Sequence, residues 1–238
     1  MVTENDFNKY LNISFVMKKN VGNAVIRNKI KRRLKYAVQK ISKEKRKQYI
    51  NETYWGKPIS GFGDPNGEIL LVGLAPAAHG ATRTGRVFTG DRSADFLYKC
   101  LYKANLSNQA TSTHRNDGLK LFNAYMTAAL KCVPPGDKPT STELNTCFNY
   151  FRKEIENLKN IKTIVALGKV AFDACLKFYK NKYILGNNKL TFGHGAKYKL
   201  PDNKWLIGCY HPSPRNVNTK RININKMVRL FENVKRTI

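Results

Sequence analysis

The stretch "EILLVGLAP", residues 68–76, decides the fold of this chain. It is a short continuous apolar run closed by Gly73 and Pro76, a pattern typical of a strand buried on both faces. The pattern recurs in "NAYMTAALKC" (123–132), "KTIVALG" (162–168) and "KWLIGCYHP" (204–212). The sequence therefore predicts four short buried strands.

Helical patterns lie between these strands. They are "SADFLYKCLYKA" (93–104), the stretch after Pro139, "KVAFDACLKFYK" (169–180) and a last helix over about 223–235. Thr140 followed by Glu143 is a capping-box signal. Strands that alternate with helices predict an α/β fold with a mostly parallel sheet covered on both faces. Ligands of such sheets bind beyond the carboxyl ends of the strands, so the loops there are expected to carry the function.

Charge is the strongest global signal. The chain has 238 residues, 42% of them hydrophobic, and 43 Lys and Arg against 16 Asp and Glu give a net charge of +27. Such a field favours a polyanionic partner, and nucleic acid is the expected one. We expect one domain over 1–238, with residues 1–50 as a basic helical segment packed on it. The chain has no apolar stretch of membrane-spanning length and no secretory signal at its start, so a cytoplasmic location is expected.

Two loops combine unusual residue types. The first, "GLAPAAHGATRTGRVFTGD" (73–91), is rich in small residues, which let the backbone approach a ligand. It matches neither dinucleotide nor triphosphate glycine patterns. Phe88 is either a core residue or a stacking platform for a planar ligand. The second loop, "HPSPRNVNTKR" (211–221), carries residue types that contact phosphates. Taken alone, His211 is either structural or catalytic.

Together the two loops resemble the signature motifs of uracil-DNA glycosylases, and more narrowly those of the fifth family, type B. The same family's order is followed by "YWGKPISGFGDP" (54–65), "TSTHRNDGL" (111–119), "KCVPPGDKPT" (131–140) and "FGHGA" (192–196). The resemblance implies a three-layer α/β/α sandwich with a short central parallel sheet. It also implies a monomeric, monofunctional DNA base-excision repair enzyme. Such an enzyme hydrolyses the N-glycosidic bond of uracil, and of hypoxanthine or xanthine, flipped out of DNA.

This reaction requires a pocket for a flipped base and a donor for the negative charge that develops on it. By resemblance, His211 donates a hydrogen bond to O2 of the base and Phe88 stacks on it. The remaining base-binding positions implied by the family are Gly73, Leu74, Ala75, Ala77 and Ala128.

Water activation is assigned by resemblance to Thr82 and Asp137. The family more often has Asn or Asp at the first position and Asn at the second. Asp91 is interpreted instead as the cap of the following helix. The resemblance also implies a set of DNA-contacting residues, namely Arg83, Arg86, Ser213, Arg215, Asn216, Asn218 and Arg221.

The five cysteines form no C-x-x-C pair, and their odd number argues against a disulfide framework. The resemblance implies a four-cysteine 4Fe–4S cluster, of which Cys132 and Cys147 are the retained half. Asn12 and Phe15 stand where the other two ligands are expected. We therefore expect no intact cluster and no other cofactor. Cys100, Cys175 and Cys209 are expected to be buried small apolar residues.

Two alternatives remain at this stage. The first is a DNA-binding damage sensor that keeps the fold without catalysis, and the second is a basic RNA-binding protein of similar fold. The motif around His211 favours the enzyme, because a binding protein needs no donor for a leaving group.

Overall fold

The structure, a computed structural model, describes residues 49, 52–185 and 190–238. The chain divides into two units, residues 1–50 and 51–238, and nearly all described residues belong to the second. Apart from residue 49, the basic helical segment predicted over residues 1–50 lies outside the described residues, and so does its packing on the rest of the chain. The single domain over 1–238 therefore stays a prediction.

Within the described part, six strands form one sheet. They are β1 (Phe62–Gly63), β2 (Ile69–Gly73), β3 (Ala124–Ala128), β4 (Thr163–Leu167), β5 (Lys197–Lys199) and β6 (Trp205–Cys209). The spatial order is β1-β3-β2-β4-β6-β5. The four central strands run parallel, and the short strands β1 and β5 pair antiparallel at the two edges. The four predicted strands are confirmed and make up the whole parallel part.

Helices connect the strands as the sequence predicts. They are α1 (Ala81–Thr84), α2 (Arg92–Lys103), α3 (Ser141–Asn157), α4 (Lys169–Lys180), α5 (Pro214–Asn218) and α6 (Ile224–Lys235). The capping box of α3 is confirmed, since the Thr140 N–H donates to Glu143 Oε2 at 2.8 Å and the Glu143 N–H donates to Thr140 Oγ1 at 3.3 Å. No helix among the described residues has the length and apolar character that a membrane crossing requires.

The sheet separates two apolar layers. Alternate residues of β2 face opposite sides, because successive side chains of a strand do so. Ile69 and Leu71 pack with residues of α2 and α6, while Leu70 and Val72 pack with residues of α3 and α4. This arrangement confirms the three-layer α/β/α sandwich.

A buried ionic network ties β3 to α3. The Lys131 ammonium donates to Thr127 Oγ1 at 2.6 Å and forms a salt bridge with Glu154. The other oxygen of that carboxylate accepts from the Gly61 N–H at 2.8 Å, which anchors the segment before β1. Removing one partner of a buried pair is costly because it leaves an uncompensated charge.

We expect the substitution Glu154→Ala to lower the free energy of unfolding by about 3 kcal/mol, because it strands the Lys131 ammonium. Glu156→Ala, on the same helix, removes an exposed partner of Arg152 and is expected to cost less than about 1 kcal/mol. Urea unfolding of both variants measures the difference. Equal losses in the free energy of unfolding would show that the Lys131 network stabilises the fold no more than an exposed ion pair does.

Candidate active site

The carboxyl ends of the parallel strands meet at one side of the sheet, called here the carboxyl edge. Gly73 of β2 is paired with Ala128 of β3, and Leu167 of β4 is paired with Cys209 of β6. The loops that follow these strands, including residues 73–91 and 211–221, therefore emerge together. Parallel register is what brings residues more than a hundred positions apart to one place.

Three residues from these loops converge. The Phe88 ring packs on Gly73 so closely that a Cβ at that glycine would lie 2.6 Å from the ring. The ring centroids of Phe88 and His211 are 6.1 Å apart, with 35° between their planes. Phe88 is buried in the core cluster, so it is a core residue that also borders His211. An apolar ring beside an imidazole suits a planar polar ligand.

The backbone of Phe88 has φ = 47°, a left-handed conformation that is costly for an aromatic residue and persists only where surrounding contacts enforce it. Its neighbours supply those contacts. The Arg86 Nε donates to Thr89 Oγ1 at 2.9 Å, and the Gly90 N–H donates to the Ser112 carbonyl at 2.8 Å. The loop around Phe88 is thus fastened on both sides.

Arg86 makes most of the contacts that hold this loop. Its guanidinium forms a bidentate salt bridge with Asp117, at 2.8 and 2.7 Å. It also donates to Ser112 Oγ at 2.9 Å and to the Arg115 carbonyl at 3.2 Å. The two side chains are only 3% and 7% exposed. The expectation that Arg86 contacts DNA is wrong, because a buried guanidinium with its donors engaged has none left for phosphates.

His211 is held through its backbone. Its carbonyl accepts from the Ser213 N–H at 2.8 Å and from Asn216 Nδ2 at 2.9 Å. Within the described residues its ring nitrogens make no hydrogen bond, so both are available to a ligand. Burial lowers the pKa of His211 to about 4, which keeps the imidazole neutral near pH 7.

A second histidine braces the strand end that carries His211. The Tyr210 N–H donates to His194 Nδ1 at 3.2 Å, and the two rings lie 5.3 Å apart. An accepting Nδ1 requires the ring proton to sit on Nε2 when this imidazole is neutral. Burial lowers the pKa of His194, which favours that neutral state.

The polar candidates for water activation differ in their surroundings. Thr82 is buried, and its Oγ1 is the sole buried side-chain polar atom of the described part without a hydrogen-bond partner. Asp137 is exposed, in a short turn after β3, with φ = 58°. Asp91 caps α2, as predicted, by accepting from the N–H groups of Ser93 and Ala94. Burial raises the pKa of Asp91.

The other predicted DNA contacts fall into two groups. Arg83 donates to the carbonyls of His79 and Gly90, at 2.7 and 3.1 Å, and pairs with Glu52. Ser213 caps α5, and Asn216 braces His211. The exposed members are Arg215, Asn218 and Arg221, the last with its guanidinium 5.1 Å from the Tyr210 ring centroid.

The predicted base-binding positions cluster at the carboxyl edge. Gly73 and Ala128 are paired strand ends, and Leu74 follows directly, its carbonyl accepting from the Leu130 N–H at 2.9 Å. Leu74 and Ala75 are partly exposed and Ala77 is exposed. Within this set, the positions after the strand are thus open to solvent.

Sequence reasoning missed Ser112, Asp117 and His194 as supports of the site. Their segments, "TSTHRNDGL" and "FGHGA", were noted only for their resemblance. No local sequence pattern identifies Asp117 as the partner of Arg86, because the two residues lie 31 positions apart. The one signal available in the sequence is the density of polar residues around Asp117.

The cysteines do not fit a four-thiolate cluster. Cys132 and Cys147 are half-buried neighbours; burial, and then the nearby Cys147, raises the pKa of Cys132 to about 12. The other three, Cys100, Cys175 and Cys209, are fully buried, as predicted. Among the described residues no group of three or more His, Cys, Asp or Glu side chains is arranged to hold a metal ion. Asn12 and Phe15 lie outside the described residues.

Comparison with known families agrees with this site. Residues 60–235 match the model of the uracil DNA glycosylase superfamily, and the chain belongs to that family. A type-5 uracil-DNA glycosylase of Thermus thermophilus is 41% identical over 192 residues, 81% of this chain and 85% of the relative. One from Pyrobaculum aerophilum is 41% identical over 185 residues, 78% of each chain. A type-4 uracil-DNA glycosylase of Archaeoglobus fulgidus is 27% identical over 161 residues, 65% of this chain and 70% of the relative.

The N-terminal segment matches a different family. Residues 1–51 match a model described as Ribonuclease P. This segment includes Asn12 and Phe15, the positions at which counterparts of the missing cysteines were expected. The superfamily match begins only at residue 60, after the densely basic region.

The half-buried position of His211 predicts its titration. Because burial lowers its pKa to about 4, the folded protein should keep this imidazole neutral down to about pH 5. An unfolded histidine titrates near 6.5, so between these values only the unfolded state binds the proton, and stability should fall as pH drops. An NMR titration of the ring signals, with the urea-unfolded chain as control, measures both values. A folded midpoint of 6 to 7 would contradict the desolvation of the His211 imidazole.

Proposed function

We propose that this protein excises uracil from DNA by hydrolysing its N-glycosidic bond during base-excision repair. The observation that carries the proposal is the convergence of Gly73, Phe88 and His211 at the carboxyl edge. Membership of the superfamily and the type-5 relatives support it. A purely binding protein has no need of an uncharged imidazole beside a stacking ring, so the damage-sensor alternative is disfavoured.

In the proposed reaction the flipped uracil stacks on the Phe88 ring. As the bond from C1′ to N1 breaks, its electron pair passes to the base and the sugar becomes cationic. Neutral His211 donates an N–H hydrogen bond to O2 and stabilises the departing anion. A water molecule then adds to the C1′ cation and loses one proton. The base anion takes up one proton at N1 by exchange with solvent, so that the products are neutral uracil and an abasic site.

We propose that Thr82 and Asp137 take part in placing the attacking water. A buried polar atom without a protein partner commonly binds an ordered water, and this supports Thr82 over the exposed Asp137. Neither residue matches the more frequent family choice, so the hydroxyl would orient the water rather than deprotonate it.

We propose that the pocket also admits hypoxanthine and xanthine. The apolar Leu74, Ala75 and Ala128 offer no side-chain hydrogen bonds that would select one base edge.

The exposed Arg215, Asn218 and Arg221, on the loop after β6, are proposed to contact the DNA backbone beside the flipped nucleotide. We propose that the protein acts in the cytoplasm, where it would meet DNA, and that it acts as a monomer.

The assay of this proposal uses duplexes that carry U·G, U·A or hypoxanthine·T pairs, with alkaline cleavage of abasic sites as readout. The wild type should release uracil from both uracil duplexes. His211→Ala should slow single-turnover excision by about 10²-fold or more, as the loss of an oxyanion donor does. His114→Ala removes an exposed histidine and serves as the matched control.

Two results would argue against the proposal. Retained binding with no cleavage of any duplex would favour the damage sensor. Full activity of His211→Ala would remove this imidazole from the chemistry.

We further propose that the protein works without an iron–sulfur cluster. Two half-buried thiols provide half of the ligands that a 4Fe–4S cluster requires. Protein purified without air should contain far less than one iron per chain by elemental analysis, while still excising uracil. About four irons and four sulfides per chain would contradict the proposal.

A further inference from the structure

An exposed tryptophan near the start of the described region holds two cations. The Arg115 guanidinium carbon lies 4.6 Å from the Trp55 ring centroid, and the Lys57 ammonium lies 5.3 Å from it. Trp55 is 37% exposed, and both basic residues are exposed. We call these three residues the Trp55 cluster.

The cluster is built onto the carboxyl edge. The backbone N–H of Trp55 donates to the Arg83 carbonyl at 3.0 Å, and the backbone N–H of Gly56 donates to the Thr82 carbonyl at 3.2 Å. The indole packs on Gly85, where a Cβ would lie 2.9 Å from the ring. All three partners belong to or directly follow α1, the helix in the loop that leads from β2 to Phe88.

Arg115 is fixed to the same loop from the other side. Its carbonyl accepts from the Arg86 guanidinium at 3.2 Å, and Asp117, two residues further, forms the buried salt bridge with Arg86. The Trp55 cluster is therefore attached rigidly to the segment that holds the Phe88 ring.

The cations of the cluster keep their charge uncompensated. The nearby acids are already engaged, since Asp117 pairs with Arg86 and Glu52 pairs with Arg83. In the described part of the chain neither Lys57 nor Arg115 forms a salt bridge. Two fixed, exposed positive charges beside a site for a flipped nucleotide complement the phosphates that flank it.

We propose that Trp55, Lys57 and Arg115 form a phosphate clamp that binds the DNA backbone next to the flipped nucleotide. The clamp rests on the proposed function and adds a contact surface separate from the loop of residues 211–221. The indole holds both cations in place, so little side-chain freedom is lost on binding. Each phosphate neutralised releases counterions and strengthens the salt dependence of binding.

The chain offers a matched control for this surface. Trp205 likewise lies beneath two lysines, with the ammonium groups of Lys197 and Lys199 at 4.0 and 4.6 Å from its ring centroid. Trp205 begins β6, whereas His211 follows the end of that strand. The control cluster therefore has similar chemistry but lies at the amino end of β6, away from the carboxyl edge.

The experiment compares the double variant Lys57→Gln/Arg115→Gln with Lys197→Gln/Lys199→Gln, which removes the same charge. Binding to a duplex that contains a tetrahydrofuran abasic-site analogue is measured by fluorescence anisotropy over about 50 to 200 mM salt. The slope of log affinity against log salt should shrink by about 2 in the first variant and keep its wild-type value in the second. Single-turnover uracil excision at low salt and saturating protein should be unchanged in the Lys197→Gln/Lys199→Gln variant, whose lysines lie outside the clamp.

A wild-type slope in the Lys57/Arg115 variant, or equal losses in the two variants, would overturn the clamp. Wild-type excision of uracil is measured in parallel and tests the proposed function by itself. Activity with an unaltered slope would refute the clamp alone, whereas absence of excision from every duplex would refute the proposed function.

Discussion

The buried salt bridge between Arg86 and Asp117 is the interaction on which the rest of the site depends. Burying either charge alone would be costly, so the two side chains hold each other inside the protein. The pair joins two loops that are separate in sequence. It thereby holds Phe88 in a backbone conformation that an aromatic residue adopts only under constraint. The ring is in place before any ligand arrives, and such preorganisation lowers the cost of binding.

The parallel sheet supplies the opposite wall. His211 follows β6 and Gly73 ends β2. Both strands pair in parallel with β4, which lies between them, so their carboxyl ends lie at the same edge of the sheet. Two hydrogen bonds hold the backbone that carries the His211 side chain. The Tyr210 N–H donates to His194 Nδ1, and Asn216 Nδ2 donates to the His211 carbonyl. Burial then sets the charge of the His211 imidazole. A neutral donor suits a leaving base, because it stabilises the anion without binding the uncharged substrate too tightly.

Much of the fold was predictable because its signals are local. Continuous apolar runs marked β2, β3, β4 and β6, and the Thr140 cap marked the start of α3. Strands β1 and β5, of two and three residues, are too short to produce a pattern. They exist through pairing with distant strands, which the sequence of either segment does not reveal.

Site residues were predictable where the residue type alone decides the role. They were not predictable where the role depends on a partner that is distant in sequence. His211 and Phe88 were found, whereas Arg86 was expected on the DNA because a paired and a free arginine look alike in sequence. Asn12 and Phe15, which stand where thiolates were expected, lie within residues 1–51, the part of the chain that matches a Ribonuclease P model.

The most direct test of the account is a crystal structure of the protein bound to a duplex with a non-hydrolysable 2′-fluoro analogue of deoxyuridine. The account predicts that the uracil lies outside the helix, stacked on the Phe88 ring, with O2 within hydrogen-bond distance of a ring nitrogen of His211. A uracil that remains paired in the duplex, or one whose O2 faces away from His211, would contradict it.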